Sequence, residues 1–297
     1  MKRIFIIGGT TFDHIVSLPD FPEPVPQTIH QAPFHEATGS TGSGKALCLT
    51  KLGIPNTLYA VLGNDFYGQK IIEHLEKEKV DFIYDFDPKG TERHFNIMDA
   101  QGGRISIFIT QSSEFPDIDL QMIEDVILES DIIVLNIISY CKQFIPILSQ
   151  YNKPIWTDLH DYTEGNVYHQ PFIEASDYIF LSSDNLSDYK QVMQDFIFQG
   201  KELVVCTHGK RGATALTKQG KWIEEPALSG FAITDTNGAG DNFFAGFLYA
   251  YLKNEPIENC MKYGALSGAY CITSKQLVYE KLSAPFLEQE FKNFHSK

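Results

Sequence analysis

Cysteine is scarce in this 297-residue chain: there are five (Cys48, Cys141, Cys206, Cys260 and Cys271), an odd number with no C-x-x-C pair. That spacing excludes a disulfide framework and a paired-thiolate zinc site, and it points to reduced thiols in a cytoplasm. Cys206 and Cys271 lie inside apolar stretches and read as small core residues. Basic residues are also short, 24 Lys and Arg against 38 Asp and Glu, for a formal net charge of −14. A chain so charged lacks the cationic surface that neutralises phosphates, which excludes sequence-independent nucleic-acid binding. No apolar run reaches the length of a membrane span, and the opening MKRIFIIGG is broken by glycine too early for a signal peptide. A cytoplasmic protein free of the membrane is therefore expected. Internal repeats and low-complexity tracts are absent too. What remains is an ordinary globular composition, 43% hydrophobic and 21% charged, in a chain able to bury a large core.

Short apolar runs read as buried strands: RIFIIGG, NTLYAVLG, DIIVLNII, KPIWTDL, DYIFLSS and ELVVCTHG. Amphipathic helical patterns fall between several of them, at about Ser43–Leu52, Gly68–Lys79, Lys142–Gln150 and Ser187–Phe198. From about Gly240 onward the chain reads as helices. Apolar strands alternating with helices predict an α/β fold, a doubly wound and mostly parallel sheet flanked by helices. Two segments break the alternation, about Asp13–Ala37 and Asp81–Thr110. In the second, RHFNIMD and RISIFIT flank an AQGG turn with period-two patterning, as in a hairpin. Together the two predict a small β-sheet lid within one domain spanning residues 1–297.

Residues 39–45, GSTGSGK, spell all but the last letter of a P-loop. The hydroxyl that would hold magnesium is missing, since Ala46 follows the lysine. The upstream PEPVPQTIHQAPFHEA is a looped or edge excursion, unlike the buried strand that feeds a P-loop. Lys45 reads as a solvated residue in the first turn of a helix, with a role toward an anionic substrate as the other reading.

The most informative run is DTNGAGDNFFAG, residues 235–246. A Gly-Ala-Gly turn at a helix start leaves backbone N–H groups unpaired, and the helix dipole makes that end attractive to anions. Asp241 in the first turn has a simple explanation, because acids are favoured there. Bare backbone with a carboxylate beside it is also the layout for phosphoryl transfer. The amides stabilise charge on the moving group and the carboxylate takes a proton from the attacking hydroxyl.

D-T-x-G-A-G-D resembles the C-terminal hallmark of the ribokinase-like carbohydrate kinases, the PfkB family, and Asp235, Thr236, Gly238, Ala239, Gly240 and Asp241 match its fixed positions. The resemblance runs along nearly the whole chain. It implies a kinase that moves the γ-phosphoryl group of ATP to a hydroxymethyl group of a ribose- or fructose-like sugar. By the same resemblance Asp241 is the base, and the amides of Gly238, Ala239 and Gly240 form the anion hole. GGTTFDHIVSLPDFP resembles the first strand and turn, which places Asp13 on the sugar hydroxyls. GNDFYG resembles G-x-D-x-x-G. THGKRGA resembles the nucleotide-lining T-x-G-x-x-G, carried here by Thr207, Gly209 and Gly212; Lys210 and Arg211 read as exposed turn cations. The near-P-loop falls where the family has G-G-x-x-x-N, so Gly39, Ser40 and Gly44 line the acceptor. Magnesium is an expected cofactor, Asp235 is the candidate for a potassium site, and the lid is a candidate surface for a homodimer.

Departures bear on the substrate. Ser40 replaces the second glycine of that motif, and Gly44 stands where the sugar-binding Asn is expected. The magnesium-organising N-x-x-E gives way to SSDNLSDY: either Asn185 and Asp188 form a shifted N-x-x-D or the motif is lost, with Asp184 or Asp188 the available carboxylate. Ile138 or Ser139 occupies the position of an acidic sugar ligand. A nucleoside kinase (adenosine, cytidine or pseudouridine as acceptor) and a non-catalytic sugar or nucleotide sensor are the alternatives. His35, His74, His94, His160 and His208 are scattered without metal-ligand spacing and read as structural. Phe12 and Phe108 are candidates to stack on a sugar or a base.

Overall fold

The computed structural model of the protein describes residues 2–295. The chain opens with β1 (Ile4–Ile7), β2 (Thr11–Ser17) and β3 (Phe34–Gly39), followed by α1 (Thr41–Lys51), β4 (Asn56–Leu62), α2 (Phe66–Lys77) and β5 (Asp81–Phe86). Then come β6 (Arg93–Met98), β7 (Arg104–Thr110), α3 (Leu120–Glu129), β8 (Ile132–Leu135), α4 (Ile145–Leu148), β9 (Ile155–Asp158), α5 (Gln170–Ala175), β10 (Tyr178–Ser182) and α6 (Tyr189–Phe198). The last part holds β11 (Leu203–Thr207), β12 (Ala213–Thr217), β13 (Trp222–Glu225), α7 (Ala239–Leu252), α8 (Ile257–Cys271) and α9 (Ala284–His295).

Nine strands form one sheet in the order β13-β12-β11-β10-β9-β8-β1-β4-β5. It is parallel from β5 to β11 and antiparallel only in the β11–β12–β13 margin. The apolar runs form strands buried on both faces, with alternate side chains entering different cores. Ile4 and Ile6 of β1 pack with α1, α2, α7 and α8, whereas Phe5 and Ile7 pack with α3, α5 and α6 on the other face. Helix α7 is buried along its whole middle, from Asn242 to Ala250, which explains why its sequence is apolar all round.

Order reverses around β1, since the chain moves from β1 to β4 on one side and later to β8 on the other. Ligands of open α/β sheets bind outside the carboxyl ends of the strands at such a switch point. Gly8, Asn136, Asp158, Ser182 and Thr207 all lie at those ends.

The inserted segments form a separate sheet, β3-β2-β6-β7. Its hairpin is the antiparallel β6–β7 pair. The boundary differs from the expected residue 81, because β5 pairs in parallel with β4 at the margin of the main sheet. Alternation gives the small sheet two unlike faces. Asp13, His94, Asn96 and Ser106 are register partners or hydrogen-bonded neighbours on one face, while Phe34, Val16, Ile97 and Ile105 form a continuous apolar row on the other.

Candidate active site

Gly238 caps α7 in the left-handed conformation (φ 78°), and no side chain caps that helix end. The turn is held from behind by the fully buried Asn242, whose amide nitrogen donates to Gly238 O at 2.8 Å and Leu277 O at 2.7 Å. In front it is open, since a Cβ at Gly240 would meet nothing within 4 Å. Amides so arranged form an anion-binding concavity at a helix start. Asp235, buried just upstream, accepts from Asn237 N at 2.7 Å. Burial pushes its carboxyl up, opposed by that hydrogen bond and by the charges of His35 and Arg104.

Asp241 sits in the first turn of α7 with its carboxylate largely buried. Its oxygen Oδ1 accepts from Thr41 Oγ1 at 2.6 Å and from Lys45 Nζ at 2.5 Å. The other oxygen lies over the bare Cα of Gly44, where a Cβ would come within 2.9 Å of it. A side chain of the size of asparagine at position 44 would displace this carboxylate.

Lys45 corrects the reading from sequence. Its side chain is fully buried, not solvated, and its ammonium pairs with Asp241 and with Asp158 at 3.2 Å. Burial disfavours the charge, but the two carboxylates outweigh it and raise the lysine above its ordinary value. Asp158, at the end of β9, also faces His160 Nδ1 at 3.6 Å. Burial alone would raise Asp158, yet the neighbouring His160 and Lys45 hold it down to about 2. His160 takes a positive φ of 53° there, a strained conformation for a non-glycine residue.

The residues expected on the acceptor side converge as well. Asp13 is buried on the inner face of the small sheet, where Oδ1 accepts from Thr11 Oγ1 at 2.7 Å and Oδ2 from Asn96 Nδ2 at 3.2 Å. His94 Nδ1 lies 3.7 Å from the same carboxylate. Burial pushes Asp13 up despite these partners. Gly39 abuts it so closely that any Cβ would strike the carboxylate. Ser40 has φ 75° and ψ 156°, backbone territory for glycine, so the missing glycine leaves strain behind. Phe108 is on the Asp13 face beside His94 and half exposed. Phe12 is not available to stack on a ligand: it is buried on the opposite face against Tyr67.

Toward the β10 and β11 ends, Thr207 terminates its strand, and Gly209 and Gly212 take positive φ of 55° and 98°. Lys210 and Arg211 are exposed. Asp184 accepts from Ser182 Oγ at 3.0 Å, Asn185 donates to Asp161 O at 2.8 Å, and Asp188 caps α6 through Gln191 N at 3.1 Å. Both carboxylates are exposed oxygen donors of the kind a hydrated divalent cation takes. Among the described residues no cluster of three or more His, Cys, Asp or Glu could hold a metal ion by protein ligands alone.

The small sheet touches the anion-binding turn directly. Thr236 Oγ1 donates to Gly102 O at 2.9 Å, and Arg104 Nη1 donates to Asn237 Oδ1 at 2.8 Å. Sequence reasoning missed the ion pairs of Lys45, and it missed Asp158, Arg104 and Asn242 altogether.

A doubly wound sheet with a β lid, a bare helix start and a carboxylate beside it defines a ribokinase-like phosphotransferase. Residues 173–283 match the family model "pfkB family carbohydrate kinase". Acarbose 7(IV)-phosphotransferase of Actinoplanes sp. is 28% identical over 274 residues, covering 91% of this chain and 92% of that protein. A nucleoside kinase of Methanocaldococcus jannaschii is 24% identical, over 93% and 92%. Among solved structures, a microbiome-derived acarbose kinase superposes with TM-score 0.87 at 26% identity, covering 98% of each chain. The chain is an ATP-dependent phosphotransferase with an alcohol group as acceptor, and the pfkB carbohydrate kinase match lies in its C-terminal part, where the bare helix start falls.

Proposed function

We propose that the enzyme phosphorylates a hydroxymethyl group of a sugar held between the small sheet and the α1 start, with Asp241 as the base. The observation that carries this is the Asp241 carboxylate at the mouth of an uncapped, open helix start. Asp241 Oδ2 accepts the proton of the acceptor hydroxyl as its oxygen attacks the γ-phosphorus of ATP. The bond from phosphorus to the leaving oxygen of ADP breaks, and the amides of Gly238, Ala239 and Gly240 hold the charge on the moving group.

Asp13, with two acceptor oxygens, suits a vicinal diol, and Gly39, Ser40 and Gly44 give the acceptor room to approach. Thr207, Gly209, Gly212 and Asn185 are assigned to the nucleotide. Asp184 and Asp188 are the carboxylates we assign to hydrated magnesium, which supplies charge neutralisation on the phosphates when bound. Asp235 is assigned to a monovalent-cation site near the turn. Among the described residues no helix is long and apolar enough to cross a membrane, and all five cysteines are free and buried; both fit a cytoplasmic enzyme. The small sheet acts as a lid and pairs with a second copy.

Names of the relatives bring acarbose and nucleosides into the acceptor set. The exposed Phe108 ring on the inner lid face supports the nucleoside reading as a second choice. A coupled ADP-release assay against ribose, fructose, acarbose, adenosine, cytidine and pseudouridine tests both. Sugar-dependent ADP release that falls at least about 10²-fold in Asp241→Asn, with ATP binding kept, is the expected result. Thermal stabilisation by an acceptor without any ADP release would favour a sensor and overturn the proposal.

A further inference from the structure

We infer that Lys45 is a positioning residue for phosphoryl transfer: its buried ammonium fixes Asp241 by one oxygen and leaves the other free to take the acceptor's proton. This rests on Asp241 being the base. The ammonium has three N–H groups, and the structure gives it three partners: Asp241 Oδ1, Asp158 Oδ2 and Thr41 Oγ1. Its flank is covered by the Phe244 ring, 4.9 Å from Nζ to the ring centroid. Thr41 in turn donates to Asp241 Oδ1, so both side-chain hydrogen bonds of that carboxylate converge on one oxygen. Rotation of the carboxylate would break both at once.

Each partner comes from a different element. Lys45 and Thr41 belong to α1 beneath the acceptor loop, Asp241 to α7 at the anion-binding turn, and Asp158 to the end of β9. One cation therefore sets the spacing between the acceptor loop and the phosphoryl site. Gly44, the residue before it, is bare where the carboxylate passes. A surface salt bridge would not justify such a role, because exposed pairs are loosely held. This one is largely buried, and a group lost from it leaves uncompensated charge.

A charge-balancing lysine and a positioning lysine differ in one respect. If Lys45 only neutralises two carboxylates, removing it together with one of them restores everything. If it positions Asp241, turnover stays low after charge is rebalanced. The test compares wild type, Lys45→Met, Lys45→Met/Asp158→Asn, Asp241→Asn and Lys45→Met/Asp241→Asn, using the best acceptor of the panel. Melting temperature, kcat and KM for ATP are read for each.

We expect Lys45→Met to lose kcat by roughly 10–10²-fold, a large share of what a general base supplies, while KM for ATP stays within about 3-fold. Lys45→Met/Asp158→Asn regains melting temperature but not kcat. Because the lysine acts through Asp241, adding Lys45→Met to Asp241→Asn costs less than about 3-fold further. Turnover of Lys45→Met/Asp158→Asn within about 3-fold of wild type would overturn the inference, as would a full multiplicative loss in the Asp241→Asn background. Should Lys45→Met alone not fold, the two double variants still decide. If Asp241→Asn itself turns over like wild type, the base assignment fails and this inference with it; if Asp241→Asn is inactive and Lys45→Met is active, only the role of the lysine fails.

Discussion

Asp13, which we propose binds the acceptor, carries a stability cost in the same side chain. Burial raises its carboxyl above the ordinary value, so the folded state binds that proton more tightly than the unfolded chain does. The sign follows from linkage: the ionised carboxylate burdens the fold fully at neutral pH, and the burden falls away as the pH drops through the raised value. Asp13→Asn should therefore melt a few degrees higher at pH 7, with the gain shrinking toward pH 4, while the acceptor KM rises about 10-fold or more. Calorimetry across that pH range, with acceptor kinetics at pH 7, checks both halves. Ser40 carries a second burden, since its φ of 75° with ψ of 156° suits glycine. Such strain costs about 1–3 kcal/mol, partly offset by the chain entropy of glycine. Ser40→Gly should raise the melting temperature by about 1–3 °C. A lower melting temperature would mean that contacts of the serine outweigh its strain.

Individual residues were legible where the feature is local backbone geometry. Gly-Ala-Gly before a helix can be read as an anion turn from neighbours alone, and Asp241 is in the same run. Lys45 could not be read that way. Its partners lie 113 and 196 positions further along the chain, and local helical patterning says only that a lysine in a first turn has a way to water. Phe12 was misjudged for a related reason: strand alternation puts Phe12 and Asp13 on opposite faces, and only pairing tells which face meets the ligand.

At the scale of elements, two hydrogen bonds join the small sheet to the turn before α7. The β6–β7 turn receives the Thr236 hydroxyl, and Arg104 reaches Asn237 from the start of β7. In the proposed mechanism, closure of the small sheet engages the residues flanking the amides assigned to the phosphoryl group. Thr236→Val keeps the shape and loses the donor. We expect kcat within about 3-fold of wild type, acceptor KM up by about 3–10-fold, and more ATP hydrolysed without acceptor, because an unlatched lid admits water. Hydrogen exchange at residues 99–104 should accelerate in the same variant; unchanged exchange and unchanged hydrolysis would show that the latch does not control closure. Elements themselves were unevenly legible. The six apolar runs became six of the seven parallel strands, and the hairpin pattern became β6 and β7. Helices α3 and α5 were not read, being short segments of 10 and 6 residues that bury only two side chains each. β5 was assigned to the lid because residues 81–110 break the strand–helix rhythm as a block, whereas its parallel pairing with β4 is a long-range choice.

Across the whole molecule, the Phe34–Ile105 part of the outer lid face stands clear of the cover that Tyr67 gives Phe12 and His14. The register aligns Phe34, Val16, Ile97 and Ile105 across all four strands. Phe34, Ile105, Ile107 and Ile109 are each more than 40% exposed, on a face turned away from the Asp13 side. β7 is also an unpaired edge, and exposed apolar edges in soluble proteins are normally blunted or covered. With a net charge of −14 the rest of the surface repels a second copy, so an apolar face is where two copies can meet. Light scattering after gel filtration should give twice the 33.6 kDa chain mass. Ile107→Lys places a charge on the exposed edge strand of that face and should give monomers with unchanged circular dichroism. Since a lid braced by its partner closes more readily, the monomer should show a higher acceptor KM with near-normal ATP affinity. A wild-type protein that elutes as a monomer at micromolar concentration, with kinetics that Ile107→Lys leaves unaltered, would mean that the acceptor site is complete within one chain.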